Sequence, residues 1–311
     1  MDKAPRMNVT IMGAGGVGGY LGALLARAGH AVTVVARGPH LAAIQRDGLH
    51  IETAIEPHFT AEVRAVETAD TPADLLLFTV KSYDTADAIR LVPPAVGPDT
   101  VVLTLQNGVG GGELLAETFG WERVLEGVVY IESHVKAPGI IEQAGGPRRV
   151  VFGKRGGNAE REQRLIGTLR DAGWEAELAE NVLNALWAKL SFIGPFAALN
   201  TITGLKGAQI CAAPDTAELA KGVIAEYVAV ANAEGAELDA NAVETSFGRL
   251  SGFAGLSSMF RDRFAGKRIE SDALAGVVVR KGEALGIPTP LTRTLSALLS
   301  PMREGGAVPG D

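Results

Sequence analysis

Between two short apolar runs, Val9-Thr10-Ile11-Met12 and Ala31-Val32-Thr33-Val34-Val35, stands the segment Gly13-Ala14-Gly15-Gly16-Val17-Gly18-Gly19. No other stretch narrows the folding options as far. Five glycines in seven residues cannot carry a strand onward, and a helical pattern over about 16–28 follows at once, so the chain must turn from strand to helix inside this run. Strand, glycine turn, helix and second strand make a βαβ unit. Gly13, Gly15 and Gly18 hold the spacing G-x-G-x-x-G. In such a turn the first glycine permits the sharp bend, the second lets a pyrophosphate approach the backbone, and the third lets the helix pack closely on the strand. The helix N-terminus then faces the anion. Ala14, Gly16 and Val17 complete a loop whose backbone would line a dinucleotide. A glycine turn that serves only to pack a helix on a strand is the plainer alternative, and the strand–loop–helix context favours the dinucleotide.

The alternation of strand and helix continues through the first half. Apolar runs recur at Asp74–Val80 and Val101–Leu105, with weaker ones at 124–125, 128–131 and 149–152. Uniform rather than alternating hydrophobicity is the pattern of strands covered on both faces in a parallel sheet. After Trp174–Leu178 the character changes to helical patterns near 180–199, 216–234, 270–285 and 290–300, with no clear strand. The predicted fold is therefore an α/β Rossmann-type dinucleotide-binding domain over 7–178, followed by an all-α substrate domain over 179–311. Two domains suit 311 residues. Gly194-Pro195 predicts a kink or end in the first long helix. Met1–Arg6 reads as a frayed extension and Glu304–Asp311 as a loose tail.

Composition excludes several functions. With 29 basic and 36 acidic residues the net charge is −7, which supplies no pull toward nucleic acid or an anionic membrane. The single cysteine, Cys211, excludes an internal disulfide, and the five scattered histidines give no metal-ligand spacing. No signal peptide and no run of about 18 apolar residues is apparent, so a cytoplasmic protein acting on a small molecule is expected. Glycine fills 39 positions, nearly twice the usual ~7%. Ten of them fall at 13–22 and 108–112, at two strand ends.

Particular side chains then become candidates. Arg37 follows the second strand 24 residues after Gly13, where an NAD-specific site would carry an acid. A guanidinium there suits the 2′-phosphate of NADP, and a solvated surface arginine is the alternative. The strand ends Thr79-Val80-Lys81 and Gln106-Asn107-Gly108-Val109-Gly110 lie where α/β sheets place ligands, although Lys81 could simply start a helix and Asn107-Gly108 form an ordinary turn. Lys189 interrupts an apolar row of Val182, Leu186, Ile193 and Phe196. Such an ammonium must find a partner, reach water or face a polar cleft. Glu270 heads the row Ala273, Leu274, Val277 as another charge in an apolar row, and a partner of the helix dipole is the alternative. Ser257-Ser258-Met259-Phe260-Arg261-Asp262 reads alone as a capping loop.

Taken in order, these segments make the chain resemble the ketopantoate reductase (2-dehydropantoate 2-reductase) family over essentially its whole length. Trp187-Ala188-Lys189-Leu190, the 12-residue spacing from Ser258 to Glu270, and Gly286-Ile287-Pro288-Thr289-Pro290 join the glycine loop in that pattern. The resemblance implies NADPH-dependent reduction of ketopantoate to pantoate on the route to coenzyme A. It implies Lys189 as proton donor, Glu270 as the second catalytic residue, Ser258 for the substrate carboxylate, and Asn107 and Lys81 for the nicotinamide ribose and the cofactor–substrate junction. Asn107, Lys189 and Glu270 also count as substrate contacts. The sequence departs from the family at the positions four and eight after the lysine, where Ile193 and Ala197 replace substrate-binding asparagines. That departure leaves a less polar 2-oxo acid as an alternative substrate, with Asn200 as a candidate replacement amide. A non-catalytic NADP-binding regulator is a second alternative. A 3-hydroxy acid or opine dehydrogenase would share the glycine loop but leave the Ser258–Glu270 spacing unexplained. The apolar helical half is where a homodimer face would lie.

Overall fold

The computed structural model describes residues 5–155 and 160–306. The first four residues of the Met1–Arg6 extension and the last five of the tail lie outside this set. The described part of that tail is not loose, because Glu304 pairs with Arg268 at 3.0 Å and the Gly306 N–H donates to the Gly266 carbonyl. Two compact units emerge: residues up to Gln106 with Gly111–Val182, and Asn107–Gly110 with Leu183 onward.

The first unit contains strands β1 (Asn8–Met12), β2 (Ala31–Val35), β3 (Leu49–Thr53), β4 (Phe59–Ala61), β5 (Arg64–Val66), β6 (Ala73–Phe78), β7 (Val96–Thr104), β8 (Val124–Ala137), β9 (Ile140–Gly153) and β10 (Glu175–Leu178). They form one sheet in the order β4-β3-β9-β8-β7-β6-β1-β2-β5, with β10 on β9. Helices α1 (Gly16–Arg27), α2 (Gly38–Asp47), α3 (Thr85–Ile89), α4 (Gly111–Phe119) and α5 (Glu160–Asp171) connect them. Leu75 and Leu77 enter one apolar cluster while Leu76 and Phe78 enter another. Burial on both faces is why β6 reads as an unbroken apolar run. The order reverses between β1 and β6, the position where open α/β sheets bind ligands.

The sheet is not wholly parallel. β8 and β9 are antiparallel 14-residue strands, and β3 pairs antiparallel with β4. The two residues between β8 and β9 end in Gly139 at φ +78°, which permits the tight reversal. Only the first six residues of β8 are consistently buried, so its outer half leaves no apolar run in the sequence.

Among the described residues the second unit contains helices and no strand: α6 (Val182–Thr203), α7 (Gly207–Ala212), α8 (Pro214–Ala233), α9 (Ala242–Gly252), α10 (Ser258–Phe264), α11 (Val277–Leu285) and α12 (Pro290–Leu299). A π-helical turn, Asp272–Gly276, precedes α11, so the pattern over 270–285 is not one continuous α-helix. Nor does α6 end at Gly194-Pro195. Pro195 has no N–H to give the Ser191 carbonyl, but Trp187 and Leu190 before it and Phe196, Ala198 and Leu199 after it are all buried. Packing outweighs the lost bond. An 18-residue window of α6, at mean hydropathy 1.4, is apolar enough to cross a membrane, yet 61% of it is buried inside the protein. That makes α6 a core helix.

Gly194 faces the Tyr227 ring, and a Cβ there would lie 2.5 Å from a ring carbon. Gly248, in α9, has nothing within 4 Å of that position. Replacing glycine by alanine in a helix gains about 0.5–1 kcal/mol, whereas overpacking costs about 1–3 kcal/mol. Gly194→Ala should therefore lower stability by about 1–2 kcal/mol and Gly248→Ala should raise it, as read from urea unfolding midpoints.

Candidate active site

In the first unit the site begins where β1 runs into α1. Gly13 bends the chain at φ +102°, and its N–H donates to the Val35 carbonyl at 3.2 Å. Thr79, just beyond β6, donates through Oγ1 to the carbonyls of Gly13 (2.8 Å) and Met12 (3.1 Å). A Cβ at Gly18 would collide with the Gly13 carbonyl and Thr79 Oγ1, and one at Gly16 with the Ser133 carbonyl of β8. At Gly15 a Cβ would meet nothing within 4 Å. The loop is thus crowded from behind and open at Gly15, the shape of a cradle for a phosphate group at a helix N-terminus. Ala14 is buried and Val17 half-buried within it.

One residue of this loop's surroundings gave no signal in the sequence. His40, in the first turn of α2, has Nδ1 2.9 Å from the Gly139 N–H and Nε2 2.7 Å from the Ala14 carbonyl. Arg37 stands at the N-cap position of the same helix. It is 85% exposed and pairs with Asp84 at 3.0 Å, so its guanidinium is open to further partners. Lys81 is half-buried, just ahead of a short 3₁₀ turn over Ser82–Asp84. Gln106 joins the ends of β6 and β7 by donating to the Val80 carbonyl (3.0 Å) and Thr85 Oγ1 (2.7 Å).

The second unit brings Lys189 and Asn107 together. The lysine Nζ donates to Asn107 Oδ1 at 2.8 Å. Burial of the ammonium pulls its pKa from 10.5 down to about 8, with the Glu270 carboxylate acting in the opposite direction. Glu270 is itself buried at 5% exposure. Its carbonyl accepts from the Leu274 N–H, which places it at the entry to the π-helical turn. Asn107 is set by its neighbour Gly108, whose φ is +97° and whose missing Cβ makes room for the Ala273 carbonyl. Tyr227 donates through its hydroxyl to the Leu274 carbonyl at 2.8 Å. The turn that follows Glu270 therefore touches both the Asn107 loop and the ring packed on Gly194 of α6.

Ser258 is exposed on the first residue of α10, while Ser257 is the buried cap, accepting from the Phe260 N–H at 3.0 Å. Asn200 does not take over from the absent asparagines. It is fully buried, its Oδ1 accepts from the Ser257 N–H (3.0 Å) and Oγ (2.9 Å), and its Nδ2 donates to the Leu205 carbonyl (2.9 Å). Its amide holds the α10 cap. Ile193 and Ala197 stand one and two turns beyond Lys189, and Phe192, Phe196 and Phe253 form an aromatic cluster with centroids 5.0–6.2 Å apart. Among the described residues no group of three or more His, Cys, Asp or Glu side chains could hold a metal.

The architecture is that of a Rossmann-type α/β unit followed by an all-α unit. Residues 9–157 match the family model for ketopantoate reductase PanE/ApbA, and residues 181–303 match that of its C-terminal region. A 2-dehydropantoate 2-reductase of Archaeoglobus fulgidus is 33% identical, over 96% of this chain and 98% of that protein. One of Mesorhizobium japonicum is 31% identical, over 96% and 97%. The crystal structure of a PanE/ApbA family ketopantoate reductase from Ralstonia eutropha superposes with a TM-score of 0.88 at 36% identity, covering 95% of this chain and 98% of that one. The chain belongs to the ketopantoate reductase family, a family of oxidoreductases.

The lysine's surroundings can be checked directly. An NMR titration of the Lys189 side chain should give a midpoint near 8. Glu270→Gln removes the carboxylate that favours the charged form, so the midpoint should move lower still.

Proposed function

We propose that the protein reduces a 2-oxo acid to the 2-hydroxy acid with NADPH, and that 2-dehydropantoate is the first substrate to test. The observation that carries this reading is a half-buried lysine, held by an asparagine oxygen and balanced by a buried carboxylate, in a chain that also carries the glycine loop. The dinucleotide, when bound, supplies the hydride to the carbonyl carbon. Negative charge then grows on the carbonyl oxygen, and Lys189 answers it by donating a proton from Nζ, leaving a neutral amine. Asn107 directs one of the three ammonium N–H groups. Glu270 favours the charged lysine before reaction and its reprotonation from solvent afterwards. Ser258 would hold the substrate carboxylate.

Gly13, Ala14, Gly15, Gly16, Val17 and Gly18 would carry the pyrophosphate, with Lys81 and Asn107 toward the nicotinamide end. Arg37 would take the 2′-phosphate, for which its exposure suits it. Arg37→Ala should therefore weaken NADPH binding by about tenfold or more and leave NADH within about twofold, as measured by fluorescence titration. An unchanged preference returns Arg37 to a surface role.

A second substrate reading has its own support. Ile193 and Ala197 offer no side-chain hydrogen bond, and the amide of Asn200 bonds Ser257 and Leu205 instead. A wall of this kind suits a 2-oxo acid with a less polar side chain. Steady-state NADPH oxidation with 2-dehydropantoate and a panel of branched and aromatic 2-oxo acids separates the two, and turnover of none of them by NADPH-binding protein would overturn the reductase reading. Lys189→Ala should lower kcat by about 10²–10⁴-fold while NADPH affinity changes little.

A further inference from the structure

We infer that His40 is a positioning residue for the dinucleotide loop, fixing the Ala14–Gly15 peptide so that the Gly15 N–H is presented to a phosphate. The inference rests on the dinucleotide reading above. It begins with the tautomer. A backbone N–H can only donate, so the Gly139 N–H at 2.9 Å makes Nδ1 the acceptor, and the ring proton then sits on Nε2, donating to the Ala14 carbonyl at 2.7 Å. Each ring nitrogen has one role and one backbone partner.

The consequence for the loop follows from peptide geometry. The Ala14 carbonyl and the Gly15 N–H belong to one planar trans peptide, in which C=O and N–H point to opposite sides. Holding the carbonyl toward His40 therefore turns the Gly15 N–H away from it. Gly15 is the one glycine of G13, G15, G16, G18 and G19 whose missing Cβ would meet nothing within 4 Å. Two packing supports come from the same hairpin that supplies Gly139: the Ser133 carbonyl lies under Gly16, and the Ile141 side chain lies under Gly19. Those contacts set how close the loop lies to the sheet. Thr79 Oγ1 fixes the Gly13 carbonyl and the Gly19 N–H fixes that of Gly15, on the peptides either side, and His40 supplies the directional bond on the Ala14–Gly15 peptide itself. Because Arg37 stands at the N-cap position of the helix that carries His40, one short helix would serve both ends of the adenosine diphosphate group.

Two near-isosteres separate this role from a general structural one. His40→Gln carries an N–H donor near the Nε2 position, and His40→Asn carries an oxygen acceptor near the Nδ1 position. Affinity for NADPH and for NADP+ should be measured by calorimetry, with Tm recorded for each protein. His40→Asn and His40→Phe should bind both nucleotides about tenfold more weakly, His40→Gln within about twofold of the parent, and kcat at saturating NADPH should change less than twofold in all three. Equal affinities in all the variants, or Asn retaining affinity that Gln loses, would overturn the inference. So would affinity losses that simply follow Tm across the three variants. Failure of the unmodified protein to bind either NADPH or NADH overturns the dinucleotide reading itself, and is told apart because it appears before any substitution.

Discussion

Taking a lysine ammonium out of water costs on the order of several kcal/mol unless polar partners replace the lost solvation, and the second unit is arranged around that requirement at position 189. Asn107 supplies an oxygen, Glu270 supplies charge, and the result is an acid poised near pH 8 rather than above 10. Each partner needs its own backbone support. Gly108 adopts a left-handed conformation and leaves space for the Ala273 carbonyl, and the widened π-helical turn after Glu270 is held by the Tyr227 hydroxyl. Such turns often mark functional sites. Trp187, two residues before the lysine, donates its indole N–H to Glu234, which also pairs with Lys281. The helix is thereby fixed in rotation as well as position.

The first unit solves a different problem with the same economy. A phosphate-binding turn must expose backbone N–H groups on one side, so its other side needs partners that do not crowd the ligand. Thr79, the Ser133 carbonyl, Ile141 and His40 all act from behind or beside the loop. Most of them come from β6 and the β8–β9 hairpin rather than from the βαβ unit itself. A local motif thus depends on strands more than sixty residues away.

That dependence explains what could be read in advance. The glycine loop, α1 and strands β1, β2, β6 and β7 were legible because each is a local pattern: a turn that needs glycine, or a run buried on both faces. Lys189 was legible as a charge in an apolar row. Strands β3, β4 and β5 and the outer half of β8 were not: β4 and β5 have three residues each, β3 alternates over only five, and the outer half of β8 is half-exposed, so none shows a pattern long enough to separate a strand from a loop. The cost of Pro195 is local and real, yet the helix runs on through it, and only the burial of residues on both sides shows why packing exceeds that cost. His40 was beyond reach because both its bonds go to backbone groups distant in sequence, and Asn200 because its bond to the Ser257 N–H lies 57 residues away; backbone partners leave no residue-type signature.

The tetrapeptide Asn107–Gly110 clusters with the helical unit although the chain on both sides of it belongs to the sheet unit. The two halves of this protein are consequently not exchangeable as cassettes. A fragment beginning at Leu183 would carry the lysine without the oxygen that orients it, and a chimera joined at that point would inherit its Asn107 from a different lineage than its Lys189. The units part cleanly only where this loop stays with α6, which makes a short turn in the first half part of the second unit's own packing.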